Sequence, residues 1–286
     1  MLVTHPDAQL AHQSVRCVDN WTLTELIHRG RYAELHRARP ATQPAAGPAD
    51  YVLKQPVTGL AATIGRELLR RESAAAAAVA DPHVITVLQF ADRHDSTYLV
   101  TPFLPGRTVD RLCRVGPLPE AVACWIGRQA AEGLASLHAA GWSHGDVKPL
   151  NLLVNSDGHT TLLDLGFASR LGEQRGDIWL GTPRYAAPEV FASAHVAAAA
   201  DIYSLGCVLY EQLTGAAPFT AENAEELAIA HRERSPRSID SQRLDVSRDA
   251  AALVDRMLSK LPSDRPAAAE VVDQLYRLEL DALSAV

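Results

Sequence analysis

The stretch "HGDVKPLNLLVNSDGHTTLLDLG", residues 144–166, constrains this chain more than any other feature. Asp146, Lys148 and Asn151 crowd its start, and two short apolar runs follow, separated by the turn-forming "SDGH" at 156–159. That pattern predicts a strand over 152–155, a four-residue turn and a returning strand over 160–163. If Asn155 pairs with Thr160, the antiparallel register sets Asn151 opposite Asp164, roughly 4.5–5.5 Å apart. An amide oxygen and a carboxylate then share one end of a hairpin, with Asp146 on the loop before it. Mg²⁺ takes oxygen ligands, usually one or two from protein and the rest from phosphate and water, so this hairpin end suits it. The plain alternative is a polar hairpin end beside an ordinary turn.

A second constraint is a carboxylate on an apolar helix face. In "IGRELLRRESAAAAAV" (64–79), Leu68, Leu69, Ala76 and Val79 share one side at helical spacing, and Glu72 falls among them. Glu67 joins Arg70, Arg71 and Ser73 on the polar side. A buried carboxylate needs a cationic partner. Lys54, which closes the apolar strand "YVLK" (51–54), is the candidate. Either this is a structural ion pair, or Glu72 holds the lysine so that its ammonium meets phosphate oxygens.

Around these two features the chain divides. Residues 1–20 lack periodicity and read as an arm. From Trp21 to Val100 short strands dominate: "WTLTELI", "YVLK", "VITVLQF" and "STYLVTPF", with "RPATQPAAGPAD" (39–50) as a long hairpin loop. From Pro117 helical patterns take over. Residues 118–141 set Val122, Trp125, Ile126, Ala130, Gly133, Leu134 and Leu137 on one stripe, ending at Gly141. "DIYSLGCVLYEQLTG" (201–215) is apolar on most of its surface, predicting a buried helix from an Asp201 cap to Gly215. The alanine runs at 74–78 and 197–200 suit helices and carry no chemistry. "PFLPG" (102–106) reads as a hinge between two lobes, and such clefts bind ligands.

With 286 residues and 47% hydrophobic content, the chain can build real cores. A net charge of −7 with scattered basic residues gives no footprint for nucleic acid. The four cysteines (Cys17, Cys113, Cys124, Cys207) are far apart and read as reduced, buried thiols. No apolar run approaches a membrane span, and the first residues carry no signal pattern. The expectation is a cytoplasmic protein; nothing in the sequence speaks to its oligomeric state.

Taken together, these motifs resemble the eukaryotic-type (Hanks-type) serine/threonine protein kinase catalytic domain, over roughly residues 21–280. "YVLK" is similar to the lysine strand of that family, Glu72 to its helix partner, and "HGDVKPLN" to its catalytic loop. "DLG" (164–166) stands where the family has its metal-binding Asp-Phe-Gly. "GTPRYAAPE" (181–189) matches the end of the activation segment, "DIYSLG" the central buried helix, and Arg265 the arginine that pairs with Glu189. The resemblance implies an α+β, two-lobed fold with a β-rich N-lobe over 21–104 and a helical C-lobe over 105–286. It implies ATP and Mg²⁺ as cofactors and Ser/Thr-bearing proteins as substrates. By similarity, Asp146 orients the acceptor hydroxyl and takes its proton, Lys148 steadies the transferring phosphate, and Asn151 and Asp164 hold Mg²⁺. Lys54, fixed by Glu72, contacts the inner phosphates. Adenine would sit between Leu35 and Val52 above and Leu153 below, with Ile27 and Gly30 in the covering loop. Thr101 limits the back of the pocket, and the backbone at Pro102–Leu104 meets the polar edge. Thr182 is the family's conformational threonine near Asp146.

The chain departs from the family in two places. "HRGRYAEL" supplies only Gly30 of the three glycines in G-x-G-x-x-G, with His28 and Ala33 at the outer positions, which implies a weaker ATP grip or a different loop shape. Gly145 replaces the arginine that binds an activation-loop phosphate in regulated relatives. Its target is missing too: Ser169 and Thr182 are the only serine and threonine between Asp164 and Glu189. The expectation is a loop ordered without phosphorylation. Two rivals remain. One is a nucleotide-binding pseudokinase scaffold, favoured by the altered glycine loop and opposed by the intact Lys54, Glu72, Asp146, Asn151 and Asp164. The other is a small-molecule kinase of the aminoglycoside-phosphotransferase type, which shares an H-G-D loop but lacks Lys148 and the "GTPRYAAPE" platform.

Overall fold

The computed structural model describes residues 16–93, 96–174, 181–191 and 197–284. Its N-terminal part is one antiparallel sheet, built from β1 (Arg16–Val18), β2 (Trp21–Arg29), β3 (Ala33–Pro40), β4 (Tyr51–Pro56), β5 (Gln89–Asp92) and β6 (Thr97–Pro102). The strand order is β1-β2-β3-β4-β6-β5. Residues 16–18 of the expected arm are thus a sheet strand, and residues 1–15 lie outside the described residues. Alternation along β3, β4 and β6 buries Ala38, Leu53, Tyr98 and Val100, which pack with Leu23 and Ala91 into a small core on one face. The other face carries Val52 and Lys54, two residues apart on β4. Helix α1 (Ala62–Ala77) buries Gly65, Leu69, Glu72, Ala75 and Ala76 and packs against β4.

"VITVLQF" is not one strand. Residues 84–88 run as an extended connection, and only Gln89 onward joins the sheet. The reason lies in the backbone partners: Ile85 N–H donates to Leu162 O (2.9 Å), whereas Leu88 N–H donates to Val100 O (2.8 Å). The segment ties two parts of the molecule together, so it cannot ladder with either.

After β7 (Arg107–Thr108) and the short α2 (Val109–Cys113), the chain is mainly helical. α3 (Glu120–Ala139) and α4 (Ala198–Thr214) cross the core, with α5 (Ala224–Glu233), α6 (Arg248–Met257) and α7 (Ala268–Ser284) around them. Ile126, Ala130, Leu134 and Leu137 of the expected α3 stripe are buried, but Val122 and Trp125 are 42% and 39% exposed, so the stripe is narrower than expected. α4 is buried over most of its surface. It begins at Ala198, three residues ahead of Asp201, because alanines propagate the helix backwards. Asp201 therefore sits inside the first turn, not at the cap. Gly215 ends the helix in the left-handed conformation (φ 79°), as expected of a terminal glycine. Cys113, Cys124 and Cys207 are buried, and Cys17 is exposed instead. Among the described residues no helix is long and apolar enough to cross a membrane.

Candidate active site

Three β-pairs position the polar residues. β9 (Leu152–Val154) and β10 (Thr160–Leu162) form the expected hairpin, and β9 also pairs with β7. β8 (Trp142–Ser143), just before the 144–151 loop, pairs with β11 (Ser169–Arg170). The hairpin register differs by one residue from expectation: Thr160 faces Val154, so Leu163, not Asp164, is opposite Asn151. The cause is Asn155, whose Oδ1 accepts the N–H groups of Asp157 and His159, while its own N–H donates to His159 O. The pairing of Asn155 with His159 closes a three-residue turn, 156–158, one shorter than "SDGH", with Gly158 left-handed at φ 80°. Beyond Leu163 the chain turns sharply. Asp164 adopts φ 62°, a left-handed conformation uncommon for a residue with a side chain.

That turn brings Asp164 to the sheet. Lys54 Nζ donates to Glu72 Oε2 at 2.7 Å and to Asp164 Oδ1 at 2.6 Å, joining strand, helix and hairpin end in one cluster. Burial acts to lower the Lys54 ammonium, but the two carboxylates hold it well above the ordinary lysine range. Burial also raises Asp164, yet Lys54 outweighs it and brings that carboxyl down to about 2. Glu72, deepest of the three, is pushed upward by burial against the pull of Lys54.

A second cluster lies on the loop. Asp146 is 5% exposed. Its Oδ1 accepts the Thr182 N–H at 3.1 Å, and its Oδ2 accepts the Lys148 ammonium and Asn151 Nδ2. Asn151 Nδ2 also donates to Asp146 O at 2.9 Å, and Lys148 Nζ donates to Thr182 Oγ1 at 2.9 Å. With its amide nitrogen committed, Asn151 keeps Oδ1 for another partner. Asp164 uses Oδ1 for Lys54 and the Gly166 N–H. Its Oδ2 and Asn151 Oδ1 are hard oxygen donors, a set that fits Mg²⁺.

The loop is held from below by residues the sequence reading did not select. Asp201, 1% exposed, accepts the backbone N–H groups of His144 (2.8 Å) and Gly145 (2.9 Å) and bonds His138 Nε2 (2.9 Å). Burial works against this carboxylate, but His138 and the backbone donors keep its pKa below the usual value. The buried His144 accepts the Asp146 N–H on Nδ1, which leaves its Nε2–H to donate to Leu163 O. The one signal available in the sequence was an acid opening an otherwise apolar helix.

Gly145 has φ 78°, and a Cβ there would lie 2.4 Å from Phe167 O. The position excludes side chains by backbone contact as well as by dihedral. Gly145→Arg is therefore expected to lose about 1–3 kcal/mol of stability, read by urea unfolding, without restoring a functional cation. Unfolding at the wild-type midpoint would contradict this.

Val52 faces Thr101, and Leu35 faces Lys54, in the sheet register, so these residues flank the lysine as the adenine reading requires. Thr108 pairs with Leu153 on the opposite side of the hinge. Phe103 N–H donates to Asp50 O, fixing the hinge between Pro102 and Leu104. Ile27 is 42% exposed, at a register shift in β2. The Gly30 turn has its own shape: Gly30 N–H donates to Ala33 O (2.9 Å), and Val57 N–H donates to Tyr32 O (3.0 Å). Helix α1 meets this turn so closely that a Cβ on Gly65 would lie 2.3 Å from Tyr32 O. The turn is tied to the end of β4 by a backbone bond, and Gly65 lets α1 pack against it.

Beyond Thr182, Arg265 Nη1 and Nη2 form a bidentate pair with Glu189 (2.6 and 2.8 Å). His231, fully buried, joins α5 to the same segment: its Nε2–H donates to Arg184 O (3.2 Å), and its Nδ1 accepts from Tyr203 OH (2.9 Å). Burial, aided by the Lys260 charge, lowers its pKa to about 4. An unfolded chain takes up this proton near pH 6.5 and the folded one only near 4. Stability therefore falls as pH drops through that window, by on the order of 3 kcal/mol. His231→Gln should flatten the decline, as measured by urea unfolding at pH 7 and pH 4.5; an unchanged decline would exclude it. Residues 175–180 of the segment between Asp164 and Glu189 lie outside the described residues.

A two-lobed domain with an acid-paired lysine above and an acid–lysine–amide loop below has the architecture of a phosphotransfer enzyme. The family profile described as "Protein kinase domain" matches residues 27–277. The serine/threonine-protein kinase PknH of Mycobacterium bovis is 35% identical over 209 residues, covering 71% of this chain and 35% of that protein. Drp72 of Corynebacterium efficiens, also named as serine/threonine-protein kinase, is 34% identical, covering 68% and 39%. The probable serine/threonine-protein kinase pknA2 of Bifidobacterium longum is 32% identical, covering 76% and 30%. The chain belongs to the protein kinase family, as a catalytic domain of the eukaryotic serine/threonine type. It spans about a third of the length of the curated relatives it matches.

Proposed function

We propose that this domain transfers the γ-phosphoryl group of ATP, with Mg²⁺, to serine or threonine hydroxyls of protein substrates, and does so without activation-loop phosphorylation. The carrying observation is the meeting of Lys54, Glu72 and Asp164 within 2.6–2.7 Å, beside a loop on which Asp146, Lys148, Asn151 and Thr182 are bonded together. When bound, Mg²⁺ neutralises phosphate charge, and Asn151 Oδ1 with the Asp164 carboxylate would hold it. Lys54, kept cationic by its two acids, offers its ammonium to phosphate oxygens. Asp146 accepts the acceptor hydroxyl's proton on its carboxylate, which the Thr182 N–H holds at Oδ1 and Lys148 at Oδ2. Lys148 balances negative charge near that oxygen.

Independence from phosphorylation is supported by the other contacts that hold the segment. β11 pairs with β8, the Arg170 guanidinium lies 4.4 Å over the Trp142 ring, and Leu171 N–H donates to Gly141 O. Arg71 Nη1 donates to Ser169 Oγ at 3.3 Å, across to α1. The test is transfer of labelled phosphate from ATP to a generic protein acceptor, with phosphatase-treated enzyme alongside and Asp164→Ala as control. Transfer that survives dephosphorylation and vanishes in the control is expected. A dead wild type that still binds ATP would favour the scaffold reading, and labelling of small hydroxylated acceptors alone the small-molecule one.

A further inference from the structure

The chain carries a net charge of −7, yet basic side chains gather beside Thr182, two of them without an ion pair among the described residues. Thr182 is bonded to both Asp146 and Lys148, and Arg184 follows two residues later, within about 7 Å of extended chain. Arg184 is exposed, its carbonyl is pinned by His231, and its guanidinium has no ion pair among the described residues. Next to His231 on α5 stand Arg232 and Arg234, both exposed, and Lys260 Nζ donates to His231 O at 2.7 Å. Glu233 pairs with Arg232 at 3.2 Å, largely in solvent, and Lys260 is half-buried, so Arg184 and Arg234 are the cations of this group without an ion pair among the described residues. The other nearby carboxylates are engaged: Glu189 by Arg265, and Glu211 by the Tyr185 hydroxyl. The acids of α5, Glu225 and Glu226, occupy its first turn, about 10 Å along the axis from Arg232.

We propose that this surface selects substrates whose acceptor serine or threonine is flanked by acidic residues, with Arg184 as the specificity-determining side chain and Arg232 and Arg234 as its rim. The proposal rests on the kinase reading and names the substrate class of that site. A rigid segment that fixes Asp146 also fixes the stem of Arg184, so a carboxylate near the acceptor meets a cation at a set distance from the reacting hydroxyl. Like charges in the peptide are rejected by the same field. Because the cations are exposed, the preference weakens with salt.

Three peptides with one central serine, flanked on both sides by glutamate, alanine or lysine, test this. At low salt the wild type should favour the glutamate over the lysine peptide by about tenfold in kcat/KM, and 0.5 M salt should erode the ratio. Arg184→Glu should invert the order, whereas Arg248→Glu, the same charge change at the exposed start of α6, should preserve it. Equal rates for all three peptides, or an equal response to both substitutions, would overturn the proposal. Fluorescence anisotropy of the labelled peptides on the wild-type protein without ATP reads the same preference without turnover. If no peptide is phosphorylated, the kinase reading fails, while the anisotropy ranking still decides for or against an acid-selective surface.

Discussion

Asp146→Asn is expected to lower the rate of phosphoryl transfer by roughly 10²–10⁴-fold, the range a positioned general base supplies. The carboxylate is the acceptor for three donors: Thr182 N–H, the Lys148 ammonium and Asn151 Nδ2. An asparagine has one acceptor oxygen in that place. If it faces Thr182, its NH₂ meets Lys148 and Asn151, donor against donor; if it faces them, it loses Thr182. Either way the group proposed to take the hydroxyl proton is gone, and the bond that ties the Thr182 segment to the loop is weakened. ATP binding should survive, because Lys54, Glu72 and Asp164 do not touch Asp146. Single-turnover transfer and calorimetric ATP titration, run on the same preparation, separate the two effects. A variant that transfers phosphate within threefold of wild type would remove Asp146 from the proposed role.

The parts of this site legible in the sequence are those fixed by local pattern. Glu72 betrayed itself by standing on an apolar helix face, and Lys54 by ending an apolar strand, and the two meet at 2.7 Å. The parts not legible depend on side chains that bond their own backbone. The Asn155 amide shortens the hairpin turn by one residue, and that change reassigns every cross-strand pair. Asp164 nevertheless reaches Lys54, because the chain beyond the ladder turns through φ 62°, a conformation that no hydrophobic pattern announces. Asp201 illustrates the same limit. An acid at the start of a helical pattern reads as a cap, but here the alanines before it extend the helix, and the carboxylate turns to the catalytic loop instead. Gly145 was legible only as a missing arginine; the contact with Phe167 O that requires glycine comes from a segment 22 residues on.

Arg265→Met is expected to cost about 3–5 kcal/mol of stability, the largest loss among single substitutions outside the cleft. The Arg265 side chain is 0% exposed, and it donates to both oxygens of Glu189 and to the carbonyls of Ala199, Ser259 and Lys260. Its guanidinium also lies 4.9 Å from the Tyr203 ring centroid. Methionine fills comparable volume but leaves a carboxylate and the carbonyls of Ser259 and Lys260 without their donor, while Ala199 O keeps its place in the α4 ladder. Most of the loss comes from that stranded acid, so adding Glu189→Met should recover part of it. The recovery stays partial, since the carbonyls of Ser259 and Lys260 remain without the guanidinium. Urea unfolding of the two singles and the double mutant measures this coupling. A double mutant as unstable as the sum of its parts would mean that the carbonyl bonds, not the ion pair, tie Arg265 to the start of α4 and the 259–260 turn. The substrate segment would then be held chiefly through His231 and Thr182.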